Sequence, residues 1–198
     1  MKRQRVLSFF SLRQLWETPH FVFLTVMLLC GALAGSFTGL RSGQYEGALL
    51  EQLAGQMTAQ IQDTSWRFTV RALLGAVAWQ AVGILFGRLR ASSLLISGLC
   101  AARGFLAAFS AAAFLAAFSW RGLVLSLLTG GVSAVITIPC LLITSTACFL
   151  AGQERKRPKD YWYMLLRYRA AILCCMLLSI AGGIVRIPML LLASGMGF

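Results

Sequence analysis

Arg103 and Arg186 are the residues in this chain with the most chemical potential. Each falls inside a stretch hydrophobic enough to lie at membrane depth, away from the basic clusters elsewhere. A guanidinium there costs a few kcal/mol or more unless it reaches water, a headgroup or backbone carbonyls. Gly104 follows the first and Pro188 stands two residues after the second; both residue types can interrupt a helix and free carbonyls. Snorkelling, carbonyl capping and a functional site therefore remain open for each arginine. The six acidic residues all lie outside the apolar runs, so a proton relay or an acidic cation path has no candidates. If anything crosses, an anion fits better.

Other chemistries find less support. His20, the lone histidine, stands beside Pro19 at a membrane edge and reads as an interfacial residue. HExxH is absent, an intramembrane serine–histidine dyad has no histidine, and no pair of intramembrane aspartates exists. No Walker motif occurs, so this chain is not expected to drive transport with ATP by itself. Thr144-Ser145-Thr146 is a polar cluster, but such residues in spans usually bond to their own helix backbone. Cys30, Cys100, Cys140, Cys148, Cys174 and Cys175 all fall in apolar runs, without CxxC or Cys/His spacing. They read as small buried hydrophobes. The expectation is a protein that is not an enzyme and holds no cofactor or metal.

These side chains are positioned by long uncharged runs. Hydrophobic residues make up 59% of the chain, charged residues 12%, and the mean hydropathy is +0.78. A soluble domain of 198 residues could not bury that much apolar surface. About 20 apolar residues cross a hydrocarbon core of about 30 Å as a helix. The fold class is therefore all-α: a polytopic integral membrane bundle with about five transmembrane segments, some of them interrupted, and one extracytoplasmic amphipathic helix. Residues 1–198 form a single membrane domain. The basic opening and the apolar run that follows imitate a secretory signal, but the basic region is too long and apolar residues continue to Leu40. Residues 1–18 instead read as a basic amphipathic segment on the inner surface.

The expected spans are Phe21–Leu40, Thr69–Phe86, Ala91–Phe118, a stretch ending near Ala151, and Ala170–Ala193. Breaks are expected at Arg103–Gly104, Gly130–Gly131, Pro139 and Pro188, and a sharp turn at Ser119–Gly122. Between the first two spans, residues 41–66 hold Glu46, Glu51, Asp63 and five glutamines, with apolar residues at helical spacing. Residues 152–169 form a basic loop. With the N-terminus inside, twelve basic residues face the cytoplasm and four face outward, which sets the orientation N-in, C-out. The net charge of +12 thus answers to anionic lipid headgroups rather than nucleic acid.

Small residues mark helix seams. Gly31, Gly35 and Gly39 repeat every four residues on the first span, and Gly104, Ala108, Ala112 and Ala116 on the third. Gly83 and Gly87 share the spacing on the second. Such stripes let backbones approach closely in lipid. They suit either the core of the bundle or a surface for a partner span or a second copy of the chain.

The order of these features resembles stage II sporulation protein M and its relatives. The resemblance rests on the opening span with its Gly31, Gly35 and Gly39 repeat and the outer polar helix after it. It rests also on Arg103-Gly104-Phe105 after the tight turn, and on Ile138-Pro139 within the fourth stretch. It covers most of residues 15–195, whereas the basic loop and its Tyr161-Trp162-Tyr163 run depart from the family pattern. It implies a non-enzymatic scaffold that holds peptidoglycan-degrading partners at the membrane during forespore engulfment. A rival reading is the membrane subunit of an ATP-driven two-component transporter, its basic loop docking the ATPase.

Overall fold

A backbone in lipid has no water to bond with, so apolar runs of this length must satisfy their amides internally, as helices. The computed structural model describes residues 18–45, 66–89, 91–154, 161–162, 165–166 and 168–195. Its elements are α1 (Pro19–Tyr45), α2 (Trp66–Gly87), α3 (Ser92–Ser126), a π-helical segment (Leu127–Gly131), α4 (Val132–Glu154) and α5 (Arg169–Gly195). The described residues contain no strand. Among the described residues, three helical stretches are long and apolar enough to cross a membrane: Pro19–Arg41, Ser92–Ala116 and Val132–Gln153. Val77–Gly87 and Arg169–Val185 are shorter apolar stretches. The described residues are all-helical, with helices of membrane type.

Several boundaries differ from the sequence expectation. Residues 41–45 extend α1 rather than opening a separate polar helix, and the rest of that proposed helix, 46–65, lies outside the described residues. No break occurs at Arg103–Gly104, because α3 runs through it. The glycine serves packing instead: a Cβ there would collide with the Leu28 carbonyl of α1. Pro139 and Pro188 likewise sit inside α4 and α5 without ending them. Each proline removes one backbone donor, a loss that a membrane helix tolerates. The irregularity falls at Leu127–Gly131, where two glycines weaken the helix and its hydrogen bonding widens to π spacing.

The run from Ser92 to Glu154 is bent back on itself. A straight α3 would hold Ser92 and Ser126 about 51 Å apart, and the residues from Ser126 to Gly152 span only about 39 Å as helix. Yet a Cβ on Gly152 would stand 2.6 Å from Ser92 Oγ, and Leu99 and Ser145 both approach Gly83. These pairs show that the run doubles back between Ser92 and Gly152.

Helix directions therefore alternate. His20 of α1 stacks on Phe149 of α4 at 5.0 Å, so the start of α1 meets the end of α4. Gly87, ending α2, lies beside Gly152 and Tyr161. On α5, Gly182 packs on Ile136 and Thr137 of α4, while Cys175 lies beside Cys140. The starts of α1, α3 and α5 thus share one end of the bundle with the ends of α2 and α4. Helix α4 touches every other helix, and Thr144 to Phe149 is buried throughout. A helix apolar on all sides belongs at the centre of a bundle.

The interface of α1 with α3 is the most extensive in the molecule. A Cβ on Gly31 would collide with the Ala101 carbonyl, one on Gly35 with the Phe105 carbonyl, and one on Gly39 would press on Phe109 and Ala112. The partner advances with the glycine, so the two helices run parallel, backbone against backbone. The opposite face of α1, with Val22, Val26, Leu29, Leu33, Phe37 and Leu40, is exposed and suits lipid.

Candidate functional site

Arg103 lies one turn or less from the residues of α3 that pack on Gly31 and Gly35, so the α1 seam fixes its height in the bundle. Its guanidinium carbon stands 5.4 Å from the ring centre of Trp79 on α2. An indole face attracts a cation through its quadrupole, most strongly where water is scarce. Beside this pair is a cavity of about 390 Å³ between the arms of the α3–α4 bend. Arg103, Phe114 and Ser126 line it together with Gly130 and Gly131 of the π segment and Ser133 of α4. The site therefore combines a permanent positive charge, an aromatic face, hydroxyls and apolar walls.

A second polar feature crosses the centre of the bundle. Gln80 on α2 is 1% exposed; its Nε2 donates to Ser179 Oγ at 2.7 Å and to the Cys175 carbonyl at 3.3 Å on α5. Such interhelical bonds each contribute roughly 0.6–2 kcal/mol in lipid. Cys140 lies against Cys175 and Ser179. Among the described residues, Gln80 Oε1 and Thr137 Oγ1 are buried without a hydrogen-bond partner, while the Cys175 and Cys100 thiols lie against Thr144 and Ser145. Elsewhere hydroxyls follow the membrane habit: Thr25, Ser36, Thr38 and Thr146 each donate to the carbonyl four residues back. The seam between α2, α4 and α5 departs from that habit, although sequence reading gave Thr144 and Ser145 the ordinary role.

The sequence-predicted residues distribute as follows. Gly31, Gly35, Gly39, Gly104 and Ala112 come together in the α1–α3 seam; Ala108 is half-buried and Ala116 exposed. These stripes are consumed within the chain. Arg186 lies on α5, and its side chain falls outside the described residues, so Arg103 and Arg186 form no described pair. All six cysteines are free, but Cys30 and Cys174 are exposed rather than buried, because they sit on outward faces of α1 and α5. Among the described residues no three His, Cys, Asp or Glu side chains gather as a metal site would require.

Sequence reading missed Trp79, Gln80 and Tyr161. An amide within the second apolar span was the available signal for Gln80. Tyr161 gave none, since it stands in a basic loop, yet it is fully buried and donates to the Ile84 carbonyl at 2.8 Å. No protein-family model, curated protein or solved structure matches this chain.

Proposed function

We propose that this protein is a five-span membrane scaffold resembling stage II sporulation protein M, with its N-terminus cytoplasmic and its C-terminus outside. It recruits or anchors peptidoglycan-degrading partners during forespore engulfment. The observation that carries this reading is the sorting of charge by the alternating helices. In the chain, Lys2, Arg3, Arg5, Arg13, Arg88, Arg90, Arg155, Lys156, Arg157, Lys159, Arg167 and Arg169 flank the starts of α1, α3 and α5 and the ends of α2 and α4. Arg41, Arg67 and Arg71, with Glu46, Glu51 and Asp63 between them, flank the end of α1 and the start of α2 in the chain, and Arg121 falls late in α3. A bias of this size supports the basic end as cytoplasmic. Because the glycine stripes are filled internally, the bundle serves as a rigid frame. Recognition of exported partners then falls to the acidic connector 46–65.

Two measurements test it. A reporter enzyme fused after Gly152 is expected to be active only in the cytoplasm; activity confined to the outside overturns the orientation. A photo-crosslinking residue at Gln52 or Gln56 is expected to capture a cell-wall hydrolase or a membrane partner in sporulating cells. If it captures neither, the scaffold role fails. The Arg103 cavity favours a second reading, the membrane subunit of an ATP-driven transporter whose basic connector docks the ATPase.

A further inference from the structure

Two of the buried cysteines differ from the others in what they touch. Cys100 and Cys148 lie against hydroxyls, those of Ser145 and Tyr161. Cys140 of α4 and Cys175 of α5 instead place one thiol against the other, and both are buried and free. The packing of the two helices fixes this juxtaposition. Gly182 of α5 meets Ile136 and Thr137 of α4, while Cys175, about two turns earlier on α5, meets Thr144, about two turns later on α4. The helices therefore run antiparallel, in a register that seats Cys140 against both Cys175 and Ser179 of α5. From α2, Gln80 bonds to the Ser179 hydroxyl at 2.7 Å and to the Cys175 carbonyl at 3.3 Å. A third helix thus holds the same stretch of α5 in place.

A thiol pair shared by two helices has two chemistries open to it, metal ligation and oxidation. Structural metal sites use about four protein ligands and catalytic ones about three. Among the described residues no third His, Cys, Asp or Glu joins these two. Oxidation asks for nothing further from the protein. Two neutral thiols become a neutral disulfide, so no charge is left at membrane depth. The thiolate that forms in passing is the nucleophile, and the hydroxyls of Ser179 and Thr144 beside the two sulfurs offer it donors. Cys140 lies within the membrane-length stretch Val132–Gln153, and neither residue is open to the surface. Peptide disulfides and oxidoreductase proteins are too large and too polar to reach such a pair, whereas a small uncharged peroxide enters lipid.

We infer that Cys140 and Cys175 are an oxidative modification site, at which a small membrane-permeant peroxide closes a disulfide that ties α4 to α5. One sulfur attacks a peroxide oxygen and becomes a sulfenic acid as the first water leaves. The second sulfur displaces the hydroxyl of that sulfenic acid, which leaves as a second water. Two thiols and one hydrogen peroxide give one S–S bond and two waters, the sulfurs supplying the two electrons that break the O–O bond. Because α4 touches every other helix, the bond stitches the centre of the bundle to α5 and leaves the α1–α3 seam as it is. Such a bond requires neither the scaffold role nor the transporter role.

The test uses the full-length protein in phosphatidylcholine nanodiscs, treated with hydrogen peroxide and then with catalase. The protein is unfolded in dodecyl sulfate with N-ethylmaleimide and digested with trypsin without reduction, and mass spectrometry locates every linked pair. The Cys140–Cys175 link is expected to exceed any other pair by at least about tenfold, because thiols held together react as if highly concentrated. Protein unfolded before the peroxide is expected to lose that preference. Cys140→Ser and Cys175→Ser are each expected to abolish the link, and Cys174→Ser to retain it. Three results overturn the inference: Cys140 and Cys175 both still open to N-ethylmaleimide after peroxide, oxidation that stops at a sulfinic acid on either, or links to other cysteines as frequent as the link between these two.

Discussion

A Gly35→Leu protein is expected to lose the α1–α3 interface and to unfold at markedly lower denaturant than the wild type. The site has no room to yield. A Cβ alone would lie within 2.9 Å of the Phe105 Cα and carbonyl carbon and closer still to the carbonyl oxygen. Overpacking a core where side chains can shift costs about 1–3 kcal/mol, and here the obstruction is backbone, so the upper end or beyond is expected. Truncating Phe105 to alanine should therefore give no rescue, because the atoms in collision remain. Gly75→Ala is the control: nothing lies within 4 Å of its Cβ position, and alanine is favoured over glycine in a helix by about 1 kcal/mol. Unfolding in mixed micelles, followed by circular dichroism, reads all three. A Gly35→Leu protein as stable as the wild type would show that the two helices do not meet along this stripe.

Tyr161→Ala should produce a loss of similar size by the opposite route. The ring is fully buried, packs against Gly87 and lies edge-on to Trp162 at 5.7 Å. Removing a buried aromatic side chain typically costs about 3–5 kcal/mol through lost transfer energy and the cavity left behind. Tyr161→Phe keeps the ring and removes only the bond to the Ile84 carbonyl, a change of about 0.5–1.5 kcal/mol. Because Tyr161 ties the basic connector to the bundle, Tyr161→Ala should also raise trypsin cleavage between Arg155 and Lys159, while Tyr161→Phe should change it little. Equal cleavage in Tyr161→Ala and the wild type would remove the tether. Gly87→Ala offers a cross-check with a different logic from Gly35: its Cβ would strike a side chain, Tyr161, so combining it with Tyr161→Ala should relieve the clash.

The contrast between these glycines shows where sequence reasoning stops. A four-residue spacing of small residues is visible on paper, and it is the same for Gly31, Gly35 and Gly39 as for Gly83 and Gly87. What fills each notch is not visible. The first set admits a helix backbone, whereas Gly87 admits a tyrosine from a connector more than seventy residues away in the chain. The prolines teach a related lesson. Pro139 and Pro188 predict interruption from local chemistry, yet a helix runs on through each of them.

Several features of this protein depend only on residue order. Uncharged runs too long and too apolar for a soluble core require helices of membrane type, because hydrophobic transfer and backbone satisfaction are properties of the segment itself. The placement of acids outside those runs is also a fact of the linear chain. The tertiary structure alone decided which seams are internal, that Trp79 faces Arg103, that Gln80 bonds to Ser179, and that the α3–α4 run doubles back to leave a cavity beside the charge. Those depend on how helices distant in sequence come into register, and register is set by close packing between surfaces that no single segment contains.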